Sequence, residues 1–116
     1  MAGAWRLLGL LVIAIGVAVG CTASEASPEV PPGNPVLAEG REIYMRNCAN
    51  CHGSAGGGGI GSQLNEGRVL ERYPEIDEQI ILVADGVRAM PGFGGKLTPA
   101  ELDAVVRYTR DILAEG

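Results

Sequence analysis

Two cysteines and a histidine stand together in this 116-residue chain, as Cys48-Ala49-Asn50-Cys51-His52. Cys-x-x-Cys-His is the spacing at which two thiols add to the vinyl groups of one haem while the next imidazole comes to lie beneath the macrocycle. Residues three apart on a helical turn project to the same side, so both sulfurs reach one edge of a planar group. Other chemistries use parts of this pattern. A zinc site needs about four ligands, and outside the motif the chain has only Cys21 and no second histidine. A thioredoxin-like pair belongs beside a strand–helix–strand unit, and no such alternation is visible. A Cys48–Cys51 disulfide leaves His52 without a part to play.

A second iron ligand is expected from Met90. It lies in the stretch 87–96, Val-Arg-Ala-Met-Pro-Gly-Phe-Gly-Gly-Lys, whose proline and glycines make it an irregular loop. Thioether sulfur is a soft ligand for haem iron, and His/Met pairing raises the reduction potential. The alternative is Met90 as core filler. Met1 belongs to a leader, and Met45, one turn before Cys48, is expected to pack on the histidine side.

The elements that position these groups follow from pattern. Residues 1–20 carry Arg6, then an apolar run from Leu7 to Val19 and small residues, the layout of a signal peptide. Cys21 directly after Val19-Gly20 is similar to a bacterial lipobox cysteine, the residue that becomes lipidated. Residues 21–35, with four prolines, are expected to form a flexible, extended linker. The folded domain is expected over 36–116. A helix over 36–47 places Leu37, Gly40, Ile43, Tyr44 and Asn47 on one face, with Gly40 suited to a close helix crossing. The glycine-dense loop 53–61 is a flexible turn around the cofactor edge. It is no phosphate loop, because Gly-Lys-Ser/Thr does not follow. Short helices are expected over 66–73 and 74–85, the second with Ile76, Ile80, Val83 and Ala84 as its apolar face and Gly86 as its stop. The helix 98–114 is the clearest: Thr98 as N-cap, Pro99 in its first turn, Glu101 completing a capping box.

The net charge of −5 excludes the basic footprint that nucleic-acid binding needs. It is compatible with steering toward a basic patch on a partner. About 80 residues remain for the domain, few for a self-sufficient core, and a covalent haem would supply an apolar plate to pack on.

Taken together, the chain resembles the class I cytochromes c, especially the small bacterial monohaem kind similar to cytochrome c6, c551 and the cytochrome domains of cbb3-type oxidases. The likeness spans about residues 37–114 and rests on the Gly40/Tyr44 helix, the Cys48–His52 motif, Gly86 with Met90-Pro91-Gly92-Phe93, and the final helix with Tyr108. It implies an all-α fold of about four short helices around one covalent haem c, with thioethers at Cys48 and Cys51. His52 and Met90 become the axial iron ligands, and Leu64, Pro91 and Phe93 line the haem. The first and last helices are expected to cross near Gly40 and Tyr108. Where such proteins have Gly-Pro-x-Leu, this chain has Gly61-Ser62-Gln63-Leu64, so the backbone of Ser62 is expected to accept from His52. The propionate-contacting tryptophan of the family has no counterpart in the domain, because Trp5 lies in the leader. Gln63, Arg68 and Lys96 are the candidate substitutes. The implied function is one-electron transfer outside the cytoplasm, as a membrane-tethered shuttle or respiratory-complex accessory, monomeric or a complex subunit, passing electrons between redox partner proteins. The alternative is a haem enzyme or gas sensor with a labile Met90.

Overall fold

The computed structural model describes residues 25–116. The expected signal peptide and Cys21 lie outside the described residues. Asn34 opens the first helix, its side chain accepting from the Leu37 amide at 3.0 Å, and Pro35 occupies the first turn, where a missing N–H does no harm. This helix, α1, covers Pro35–Asn47 and runs almost directly into the single turn α2, Ala49–His52. Further on come α3 (Arg68–Arg72), α4 (Ile76–Asp85) and α5 (Pro99–Asp111), with a 3₁₀ turn at Leu113–Glu115. Among the described residues there is no strand, only an isolated bridge between Val87 and Met90. The all-α expectation holds, with five helices in place of about four.

The frame is the crossing of α1 and α5. A Cβ placed on Gly40 would strike the Ala104 carbonyl and lie 2.9 Å from Tyr108 Cβ, so only glycine lets these backbones approach so closely. One turn on, the Tyr44 and Tyr108 rings pack 5.4 Å apart at 53°, a tilted geometry favoured by ring quadrupoles. Both rings are fully buried. The start of α5 carries the expected capping box: Glu101 N–H donates to Thr98 Oγ1 at 3.2 Å, and Thr98 N–H donates to Glu101 Oε2 at 2.7 Å.

In α4 the most buried side chains are Gln79 and Val83, while Ile76 and Ile80 are only half-buried. The pattern-based face holds, since Val83 is buried and Ile76, Ile80 and Ala84 pack against the core, and Gln79 joins it because of α5. Gln79 Nε2 donates to Thr109 Oγ1 at 2.8 Å, and Arg110 donates to Gln79 Oε1 at 3.1 Å. A satisfied polar network of this kind permits burial of an amide that pattern alone assigns to solvent.

Residues 25–34 also differ from expectation, since they lie against the domain. Arg41 Nε donates to the Pro28 carbonyl at 3.2 Å, Ser27 Oγ and Tyr108 Oη are 3.1 Å apart, and Val30 packs on the core. Composition misleads here because the segment is held mainly by polar groups of other elements rather than by its own apolar side chains.

Candidate haem cleft

His52 ends α2, and its ring is held from two directions. Nδ1 lies 2.7 Å from the Ser62 carbonyl. A carbonyl only accepts, so Nδ1 carries the proton and Nε2 keeps its lone pair for a metal. On another side, a Cβ on Gly61 would come within 2.7–3.0 Å of three ring atoms. Gly61 is therefore a positioning residue, missed in the sequence because its signal, a bare backbone against an imidazole, needs the folded loop to be seen.

The loop that brings Ser62 there is well tied, contrary to its flexible composition. Gly58 N–H donates to His52 O at 2.8 Å, Gly61 N–H to Cys51 O at 2.7 Å, and Leu64 N–H to Gly56 O at 2.7 Å. Gly53, Gly56 and Gly58 take φ of +85°, +75° and +94°, values that glycine adopts without strain. Tyr44 Oη, on the frame, donates to Gly53 O at 2.7 Å. Burial, and then the neighbouring Cys48, push the Tyr44 phenol well above its ordinary pKa, so it stays a donor.

Met90 stands across the cleft on a turn closed by two backbone bonds, Met90 N–H to Val87 O at 2.9 Å and Val87 N–H to Met90 O at 3.1 Å. The turn is pressed onto the end of α4: a Cβ on Gly86 would lie 2.5 Å from Gly92 N and 2.7 Å from Met90 O. Phe93 and Gly94 amides bond Val83 and Ala84 carbonyls at 2.9 Å each.

Between these walls is a cavity of about 310 Å³, lined by Cys48, His52, Ser62, Leu64 and Met90 among others. A narrower lobe of about 90 Å³ shares Cys48, His52 and Met90 and adds Cys51, Pro91 and Phe93. Cys48, Cys51, His52, Ser62, Leu64, Met90, Pro91 and Phe93 thus each line one lobe or the other. Cys48 and Cys51 are free thiols, and burial, then the neighbouring Cys51, push the Cys48 thiol up to about 11. Among the described residues no group of three or more His, Cys, Asp or Glu is placed to hold a metal ion.

The residues fit a haem c. Two free thiols, a tautomer-locked imidazole and a thioether line the same mostly apolar cleft. The candidate propionate contacts lie outside the cavity lining. Gln63 bonds Asn65 and Glu66, Arg68 pairs with Glu71, and Lys96 rests 5.8 Å above the Phe93 ring; none of the three lines the cleft. Arg72, Tyr73 and Arg88 do. Arg88, at φ +52°, is turned there by a left-handed backbone that its residue type does not announce. Met45 is largely exposed and lines neither lobe.

Comparison with known proteins gives a consistent picture. Residues 35–108 match the family described as cytochrome c oxidase, cbb3-type, subunit III. The chain is similar to cytochrome c6 of Thermosynechococcus vestitus, 29% identical over 96% of this chain and 95% of that one. It is also similar to dihydro-heme d1 dehydrogenase of Pseudomonas aeruginosa, 31% identical over 89% of this chain but spanning only 18% of that protein. Among solved structures, cytochrome c6 of the diatom Phaeodactylum tricornutum superposes with a TM-score of 0.56 at 30% identity, over 65% of this chain and 91% of that one.

Proposed function

The chain belongs to the cytochrome c family, in the cbb3-type group, and from that premise we propose a one-electron carrier in which His52 and Met90 are the axial iron ligands. The family's haem c is covalent, and when bound it supplies a centre that gains or loses one electron with no bond made or broken in a substrate. Cys48 and Cys51 would hold the group through thioethers. His52 presents Nε2 because Ser62 O holds the proton on Nδ1. Hydrogen bonding of this sort also strengthens the ligand's basicity. Met90 would supply the second protein ligand and, with the apolar lining, would favour the reduced state. Two protein ligands would close the iron to oxygen and peroxide, which suits transfer rather than turnover.

The proposed place of work is outside the cytoplasm, with a leader over 1–20 and a lipid on Cys21. No helix among the described residues is long and apolar enough to cross a membrane. Partners are redox proteins that dock briefly through a small interface. The single observation that carries the reading is the cleft in which Cys48, Cys51, His52 and Met90 converge.

The test is production with haem-attachment machinery, then a denaturing gel and a redox titration. Expected are haem that stays with the polypeptide, lost in the Cys48→Ala/Cys51→Ala variant, and a one-electron Nernst curve. No covalent haem, or steady peroxide turnover, would overturn the proposal.

A further inference from the structure

The segment before α1 carries an assignment of its own. Its contacts are spread along its length: Ser54 Oγ donates to Glu25 O at 2.5 Å, the Glu25 carboxylate covers Gly57, Ser27 meets the buried Tyr108 hydroxyl, Arg41 holds Pro28 O, and Val30 joins the core. Prolines at 28, 31 and 32 restrict the unfolded alternatives, so docking loses less chain entropy than it would for a Gly/Ser segment. We infer that residues 25–34 are a strap that fixes where an N-terminal anchor leaves the domain, beside the glycine loop at Ser54–Gly57, and so holds the cytochrome domain against a lipid surface by that face.

Chain geometry sets the size of the effect. A free linker from Cys21 to Pro35 would span up to about 50 Å, but the four peptide units from Cys21 to the docked Glu25 span at most about 14 Å. The exit point lies on the His52 side of the cleft, since Ser54 follows His52 by two residues and Gly58 is bonded to His52 O. The Met90 loop is therefore left for partners. Glu25 and Glu29 are exposed near the exit, so the face has no attraction for anionic headgroups, and it is the anchor and strap together that keep it there.

The inference rests on the tethered reading above, and the experiment separates the two. Holoprotein extracted from membranes with its natural N-terminus is reconstituted into phosphatidylcholine vesicles bearing a headgroup dye, and energy transfer from dye to haem is recorded. Two variants accompany it: a strap-released form (Ser27→Ala, Val30→Ser, Arg41→Ala) and an extended form with about twelve Gly/Ser residues between Ala23 and Ser24, enough to move the head by tens of ångströms. An unchanged haem spectrum in each shows that the fold survives. Strong quenching in the natural protein, falling about twofold or more in both variants, is the expected result, because transfer drops steeply with distance. If the extended form dims quenching while the strap-released form matches the natural protein, the strap does not set the distance and the inference fails alone. If the natural holoprotein does not associate with vesicles, the tethered reading fails and the inference with it.

Discussion

The cleft holds His52 and Met90 in different ways. On one wall the His52 side chain itself is fixed: a 2.7 Å bond from Nδ1 to Ser62 O sets its proton and plane, and Gly61 lies flat against the ring. On the other, only the backbone of Met90 is fixed, by the Val87 pair and by Gly86 packed under Gly92. A thioether makes no strong hydrogen bond and has rotamers to spare. The histidine is thus preset whatever occupies the cleft, whereas the methionine is brought near and completes its placement by binding. Any loosening of the iron site should begin on the Met90 side.

The largest expected effect removes what both walls share. Gly40→Leu drives a side chain into Ala104 and Tyr108, and it should cost about 4 kcal/mol or more. Urea unfolding and the yield of covalent haem measure it, and both ligands should be lost together. Gly61→Ala sharpens the contrast, since its methyl overlaps the His52 ring. A loss of about 2 kcal/mol is expected, as for overpacking elsewhere, with displaced imidazole resonances and unmoved Met90 methyl resonances in NMR of the reduced protein.

Thr98→Ala touches neither wall. It removes an N-cap, worth about 1 kcal/mol, and should leave the haem spectrum unchanged. The cap has a pH signature. The Thr98 backbone N–H, then its hydroxyl, hold the Glu101 carboxyl below its ordinary pKa. A carboxyl depressed in the folded state stabilises above its unfolded pKa, and that contribution is lost as pH falls through the folded value. Thermal melts across the acid range should therefore fall less steeply in Thr98→Ala than in the natural protein. Smallest of all is Ser62→Ala, below about 0.5 kcal/mol, because the exposed hydroxyl is idle and the carbonyl remains. A large spectral change there would mean that the side chain, not the backbone, orients His52.

What the sequence reveals of this molecule follows from how local each signal is. The Cys48–His52 motif, the capping box of α5 and the glycine stop of α4 are contained within a few residues. Gly40 and Tyr108 were paired through family likeness, and the close approach of their helices gives the physical reason. Gln79 was hidden because its partners, Thr109 and Arg110, are on another helix. That Arg72 and Arg88 line the cavity is not legible in the sequence, because it depends on loop path, and for Arg88 on a left-handed φ. The strap reads as a linker because proline-rich polar composition describes both. What distinguishes them is a set of hydroxyl and guanidinium groups up to 81 residues away.

The central claim is that Met90 closes an iron whose other ligand, His52, is already fixed. It is tested most directly by adding carbon monoxide to the reduced holoprotein, natural and Met90→Ala, and following the absorption spectrum. The account predicts a natural protein whose low-spin spectrum ignores carbon monoxide and a variant that binds it at once with haem still attached. Ready binding by the natural protein would contradict the account and point to an open iron, the property of an enzyme or a gas sensor.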